Sequence, residues 1–488
     1  MLMDQKTWRG RYRRSSLLAG GVASVALFSF ALTSPALADN ASAQPQASQP
    51  VPAAPAPAPA AKASDDSLTY YGITLYGTVD VGMVYQSHGT PRSRDFPTTM
   101  EYLVSKNGNS QQRSFASNGL SQSKIGLSGD EEFADGYSAI FKLEAGFDPL
   151  SMHLSDGLKS MANTNGLANQ YQNSNGDSSR AGQLFSGAAY AGIKTKDYGT
   201  LTFGRQNGLL ADDIVAYDPQ GGSYAFSPIG YSGAAAGIGN TEDARLDFSA
   251  KYTTHYGPFR AGGQYQFKGK QYDLGSATSV GGSAAEFDVG GDYAGFSGDI
   301  VISHKNDALG AAPLSAAQAA TLPTGSLAAT QSDATSVGVM GKYVIGPAKI
   351  FGGYERIRLS NPDNPLPNDT TDIGGYMISS MTNNAYMTNK ILQIYWTGLK
   401  YSVTDKLDIT GAYYGYAQNN FSGGACSGSS SAKCAGNLNA VSLAAVYNVM
   451  KHLDVYGGAM LSQVDGGLSS GYLHQHSIDP MVGARVSF

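Results

Sequence analysis

The chain has 488 residues, with 33 Lys and Arg against 38 Asp and Glu, 61 Gly, 30 Tyr and only two Cys. A net charge of −5 makes the chain a poor candidate for nucleic-acid binding, which rests on neutralising phosphates. After residue 38 no stretch of 18 apolar residues occurs, so a membrane could be crossed only by the strands of a closed barrel; length alone also admits two globular domains.

At the N-terminus, Lys6, Arg9, Arg11, Arg13 and Arg14 precede an apolar stretch at 17–32 and the small-residue site Ala36-Leu37-Ala38. Residues 1–38 therefore read as an export signal that is removed. Arg13-Arg14 also matches a twin-arginine start, but its flanks fit that route for folded proteins poorly. Without the signal, 28 basic residues face 37 acidic ones, a charge of −9. Residues 39–66, rich in Ala, Pro, Gln and Ser, cannot pack a core and read as a semi-extended periplasmic tether. Its use is a plain spacer or a reach toward peptidoglycan.

From residue 70 the texture becomes two-residue alternation in segments of about ten. The expected strands are 70–85, 121–132, 134–147, 183–194, 198–206, 243–255, 258–268, 284–293, 295–304, 334–344, 347–358, 391–401, 406–417, 438–449, 452–461 and 479–488. The last alternates Val482, Ala484 and Val486 against Gly483, Arg485 and Ser487 and ends on Phe488. A free edge there would be a pairing liability, which closure into a barrel removes. Short turns such as Tyr256-Gly257 alternate with long segments such as 148–182, 207–242 and 359–390, the asymmetry of a barrel with short periplasmic turns and long outer loops.

In Arg245-Leu246-Asp247-Phe248-Ser249-Ala250-Lys251-Tyr252 apolar and polar residues alternate, which lipid outside and water inside would satisfy. Core and solvent would satisfy a single strand of a soluble protein equally. Sixteen such strands have no helices to cover them. Tyr70, Tyr71, Tyr85, Tyr252, Tyr395, Tyr401, Tyr447 and Tyr456 at strand ends suit an interfacial girdle. Cys426 and Cys434, eight apart in a Gly/Ser loop of an exported chain, suit a disulfide better than a metal pair.

Together "TLYGTVDVGMVY", "SKIGLSGDEEFADGYSAIFKLEAGFD", "AYAGIKTKDYGTLTFGRQNG", "ARLDFSAKY" and the final Phe488 resemble the general porins of Gram-negative outer membranes, over nearly the whole chain after the tether. The resemblance implies an all-β transmembrane antiparallel barrel of about 16 strands over residues 67–488, with a long third loop folded into the pore. It implies a homotrimer in outer-membrane lipid and lipopolysaccharide that passes small hydrophilic solutes and ions. Phe488 would be the signal read by the barrel-assembly machinery. By position, Lys124, Arg205 and Arg245 would form the basic side of the constriction, and Asp212, Asp213 and Asp218 the acidic side. Gly187 stands where many relatives carry an inward arginine, and Asp218-Pro219-Gln220-Gly221-Gly222 replaces the usual turn of the third loop. A weaker basic wall follows, and ion preference stays open. A solute-specific channel and a structural envelope-tethering barrel are the alternatives.

No enzyme, cofactor, catalytic residue or metal is expected. Gly467-Leu468-Ser469-Ser470-Gly471 has nucleophile-elbow spacing near His474 and His476, but lacks the strand-turn-helix context. Gly341-Lys342 lacks the rest of a phosphate loop.

Overall fold

Two-residue alternation becomes sixteen strands in a computed structural model that describes residues 68–89, 104, 106, 108, 110–172, 184–229, 244–267, 282–366, 371–373, 376–426 and 428–488. The expected signal at 1–38 and tether at 39–66 lie outside these residues. The strands are β1 Ile73–Gly89, β2 Lys124–Ala134, β3 Tyr137–Gly146, β4 Ala188–Thr195, β5 Gly199–Asn207, β6 Arg245–Tyr256, β7 Phe259–Gln266 and β8 Ala284–Tyr293. Then come β9 Phe296–Ala312, β10 Ser326–Ile345, β11 Ala348–Ser360, β12 Lys390–Thr404, β13 Leu407–Gln418, β14 Gly436–Met450, β15 Leu453–Gly466 and β16 His476–Ser487. Each pairs antiparallel with the next.

Closure joins β16 to β1, with Val79 opposite Val486 and Val84 opposite Met481. Gly77 and Phe488 complete the seam by exchanging both backbone hydrogen bonds at 3.0 Å. The terminal aromatic thus sits on the closing ladder instead of fraying, and β1 and β16 cover each other's edges. Among the described residues no helix is long and apolar enough to cross a membrane.

Outward positions are large and apolar although nothing among the described residues covers them: Phe115, Ile125, Leu201, Phe203, Val441 and Leu443 are all exposed. A lipid-facing band accounts for them. Tight turns join the strands at one end. At Ala294-Gly295 both residues have positive φ, 50° and 84°, the primed turn whose twist matches a two-residue hairpin. Tyr256 and Tyr293 flank such turns and are almost fully exposed, as interfacial aromatics should be. Tyr456 departs from that expectation. Its neighbour Val455 faces out, so Tyr456 faces in and is buried.

Two irregularities matter for the interior. The second strand is longer than its sequence indicated: Ser110–Ser117 pairs with the outer half of β1, and Lys124–Ala134 with the inner half. Residues 118–123 bulge out between them, opposite only Val79 and Asp80. The buried Asp80 holds the bulge, accepting from Leu120 N at 2.8 Å, Ser121 N at 3.1 Å and the Tyr456 hydroxyl at 2.6 Å. The other irregularity is in β6, where the register with β5 shifts between Gly204 and Gln206 and Phe248 has a φ of 46°. The extra residue breaks the expected unbroken alternation: Phe248 and Tyr252 are exposed while Leu246 is buried.

The outer loops lengthen some strands. β9 and β10 run well past their expected ends, and Tyr376–Thr382 joins β10 in parallel. A helix α1 (Gly157–Asn163), capped by Asp156 accepting from Lys159 N at 3.0 Å, lies in the loop after β3. Its Leu158 and Met161 pack on Leu327, Tyr376 and Ile378, and Asn165 Nδ2 donates to Ser326 O at 2.7 Å. That loop therefore reaches from β3 to the β9–β10 hairpin. Between β13 and β14, Cys426 and Cys434 are disulfide-bonded with their Cα atoms 5.4 Å apart.

Candidate functional site: a constriction built by an inward loop

The loop after β5 begins with a second helix, α2 (Leu209–Tyr217), whose Leu209, Leu210, Ile214 and Tyr217 are buried. In a barrel with apolar residues outside, that apolar face can be covered only by the inner wall. The wall makes room by omitting side chains. A Cβ on Gly262 of β7 would lie 2.9 Å from Leu209 Cδ2, one on Gly398 of β12 2.4 Å from Pro219 Cγ, and one on Gly458 of β15 2.9 Å from Phe226 Cε1. The loop lies in this groove, and each large apolar side chain it buries contributes about 1.5–3 kcal/mol.

Polar ties continue round the wall. Trp396 Nε1 on β12 donates to Tyr217 O at 3.0 Å, and the Tyr414 hydroxyl on β13 to Asp218 Oδ1 at 2.6 Å. Gln220 Nε2 donates to Ser442 Oγ on β14 at 3.0 Å. The bulge between the halves of the second strand supplies the last anchor: Gly119 O accepts from Ala225 N at 2.9 Å and from Ser223 Oγ at 2.8 Å. The described part of the loop thus follows the wall from β7 to β15 and reaches the bulge beside β1.

On β2 and β3 the wall carries a charged cluster. Lys124 and Lys142 hold Glu144 between them at 3.1 and 3.5 Å, and the Tyr76 hydroxyl donates to Glu144 at 3.0 Å. Ile125 and Leu127 point to lipid, so Lys124 points inward. Glu144 leans over Gly187: a Cβ there would meet its Oε1 at 2.7 Å. The space of the missing arginine is filled by an acid. Asp212 on α2 is exposed and paired with Lys251 of β6 at 2.5 Å.

The other residues singled out from sequence are placed differently. Arg205 is buried, with Nε donating to Ser186 O at 2.7 Å and Nη1 to Asp247 at 2.6 Å. Arg205 is two residues from outward Phe203 and three from inward Thr202, so regular alternation does not put it on the lumen face. Arg245 lies opposite Asn207, beyond the β6 irregularity that shifts its parity away from Ser249 and Lys251. Asp218 is also buried. Desolvation pushes its carboxyl up, opposed by hydrogen bonds from Ser227, Tyr414 and the Gly222 and Gln220 backbones. It pins the loop.

Asp213 faces the wall instead of the lumen, near Asp288 of β8 and Asp299 of β9. Burial, then Asp299, Asp288 and Asp212, push its carboxyl up to about 8, with Arg260 opposing. Lys142, Glu144, Lys251 and Arg260 were not singled out from sequence. Lys142 and Glu144 are two apart in "AIFKLEAG", a spacing that already puts them on one face.

The Ser469 of the elbow-like spacing is buried in a one-turn helix, Gly467–Ser469, its hydroxyl donating to Gly466 O at 2.8 Å.

Comparison with known proteins agrees with this geometry. An outer membrane porin protein of Bordetella pertussis is 28% identical over 165 residues, covering 34% of this chain and 35% of that relative's length. An anion-selective porin from Comamonas acidovorans, 18% identical, superposes with a TM-score of 0.55 over 85% of this chain and 99% of its own. The trimer form of OmpT, an outer membrane protein of Vibrio cholerae, is 16% identical with a TM-score of 0.52, covering 85% of this chain and 99% of its own. These two likenesses are of fold. The family model for Gram-negative porins matches residues 23–467, and the chain belongs to that family of outer-membrane β-barrels.

Proposed function

We propose that the barrel is a water-filled channel through which small hydrophilic solutes and ions diffuse passively, its narrow point lying between α2 and the β2–β3 wall. One observation carries this reading: inside a closed barrel the side chains of Lys124 and Lys142 stay 34% and 35% exposed. Water must reach them. Lys124 and Lys142 around Glu144 on the wall, and Asp212 with its partner Lys251 at the loop, then line the passage with charge, which orders water and favours polar solutes. No chemical step is needed.

The assembly we infer is a homotrimer, as family resemblance suggests and as OmpT of Vibrio cholerae is recorded in a trimer form. The lipid-facing band would contact outer-membrane lipid and lipopolysaccharide, Phe488 the barrel-assembly machinery, and the segment at 39–66 peptidoglycan.

The test is reconstitution of the purified protein in a planar lipid bilayer, with liposome swelling in sugars of rising size. Stepwise ohmic conductance and swelling that falls smoothly with sugar size are expected. Conductance blocked saturably by one solute would mean a solute-specific channel, and no conductance would end the channel reading.

A further inference from the structure

Behind α2, on the side away from the passage, three carboxylates converge. Asp213 comes from α2, Asp288 from β8 and Asp299 from β9, and one oxygen from each lies within 4.8 Å of the others. Two glycines create the recess. A Cβ on Gly290 would lie 1.5 Å from Asp299 Oδ1, and one on Gly262 2.1 Å from Asp288 Oδ1. The acids lean over bare backbone toward one another.

Only one of the three is fully matched. Asp299 accepts from Arg260 Nε at 2.9 Å and from the Tyr217 hydroxyl. Asp288 is 6% exposed, yet its Oδ1 has no hydrogen-bond donor, and Asp213 Oδ2 likewise has none. While ionised, carboxylates only accept, so in that state these acids cannot satisfy each other. Arg260 and Lys251 act on Asp288 only from a distance, and no donor reaches the orphaned oxygens, whose burial is therefore costly. A positive ion at the point of convergence supplies what is missing.

The donor set consists of oxygen atoms alone, which selects a hard cation. Ca²⁺ accepts protein oxygens at about 2.3–2.6 Å in flexible geometry, whereas Mg²⁺ demands a near-ideal octahedron and keeps several waters. A buried recess walled by three carboxylates within 4.8 Å of one another suits the first. We propose that Asp213, Asp288 and Asp299 form a binding site for a divalent cation of the calcium class, which fastens the constriction helix to the barrel wall. The inference rests on the fold and the packing of α2, and stands whether or not the passage conducts.

The test uses the full-length protein refolded from inclusion bodies, free of lipopolysaccharide and stripped with EDTA. Terbium(III) is the probe, because Tyr217 against Asp299 would sensitise its luminescence. One Tb³⁺ per chain is expected, displaced by Ca²⁺ at sub-millimolar concentration and at least tenfold less well by Mg²⁺. Asp213→Asn and Asp288→Asn should each weaken binding at least tenfold, while Asp135→Asn, in an exposed turn, should not change it. Should Asp288→Asn fail to refold, Asp213→Asn decides, since Asp213 lies on a loop outside the strand ladder. Wild-type protein that takes up no displaceable Tb³⁺ would overturn the proposal and leave a proton as the neutralising partner. Unchanged binding in Asp213→Asn would overturn it equally.

Discussion

Tyr414, on the inner wall, donates a 2.6 Å hydrogen bond to Asp218, the buried carboxylate that follows α2. The pair links the constriction loop to β13. Tyr414→Phe leaves Asp218 with its remaining donors, among them Gly222 N at 2.8 Å and Gln220 N at 3.1 Å. The loss should cost about 1–3 kcal/mol locally. The barrel ladder is untouched, so the expected result is a folded channel with greater open-state current noise. Single-channel recording checks it, and noise equal to wild type would show that Tyr414 is not holding the loop.

Gly398 provides a steric counterpart. A Cβ there would stand 2.4 Å from Pro219 Cγ and 2.5 Å from its Cβ, too close for ordinary contact. Gly398→Val should therefore push the loop off the wall into the passage. Unitary conductance is expected to fall by a third or more in single-channel recording, while the barrel still folds.

The charge pattern sets the sign of ion selectivity. A unit charge roughly 8 Å from a passing ion, at an effective dielectric near 40, is worth about 1 kcal/mol. Lys124→Ala leaves Glu144 with Lys142 alone at 3.5 Å, so permeability should shift several-fold toward cations. Asp212→Asn frees Lys251 and should shift it toward anions. Reversal potentials in a salt gradient measure both, and the shifts should shrink in high salt as screening shortens to about 3 Å at 1 M.

The disulfide closes a small outer loop between β13 and β14. In the chain-entropy account a ring of about nine residues contributes roughly 2–3 kcal/mol. Reduction, or Cys434→Ala, should leave the barrel intact because no ladder pairing depends on the bond. Faster proteolysis between residues 419 and 435 is the expected change, read by mass spectrometry of the fragments.

Much of the barrel was legible because lipid outside and water inside impose one rule on every strand, and the rule has a period of two. Its failures fall where a strand breaks the period. Residues 110–117 were missed since the bulge at 118–123 separates them from their continuation. Arg245 was assigned to the face of Lys251 since nothing in the residue types of β6 announces the shift near Phe248. Tyr456 looked interfacial beside Gly457 and Gly458, where no side chain reveals the parity. The inward loop was harder still. Asp212, Asp213 and Asp218 stand within seven residues, yet one is exposed, one faces two other acids and one is buried under Tyr414. Helical rotation and tertiary anchoring separate them, and neither can be read from composition.

The loop's moorings come from far apart in the chain. Gly119 lies near the first strands, whereas Tyr414, Ser442 and Gly458 belong to the last four. During biogenesis, then, the narrowing cannot take shape while the nascent sheet is still open, because half of its mooring points have not yet arrived. The bore therefore belongs to the closed cylinder as a whole, since the loop that narrows it leans on strands from both sides of the β1–β16 seam.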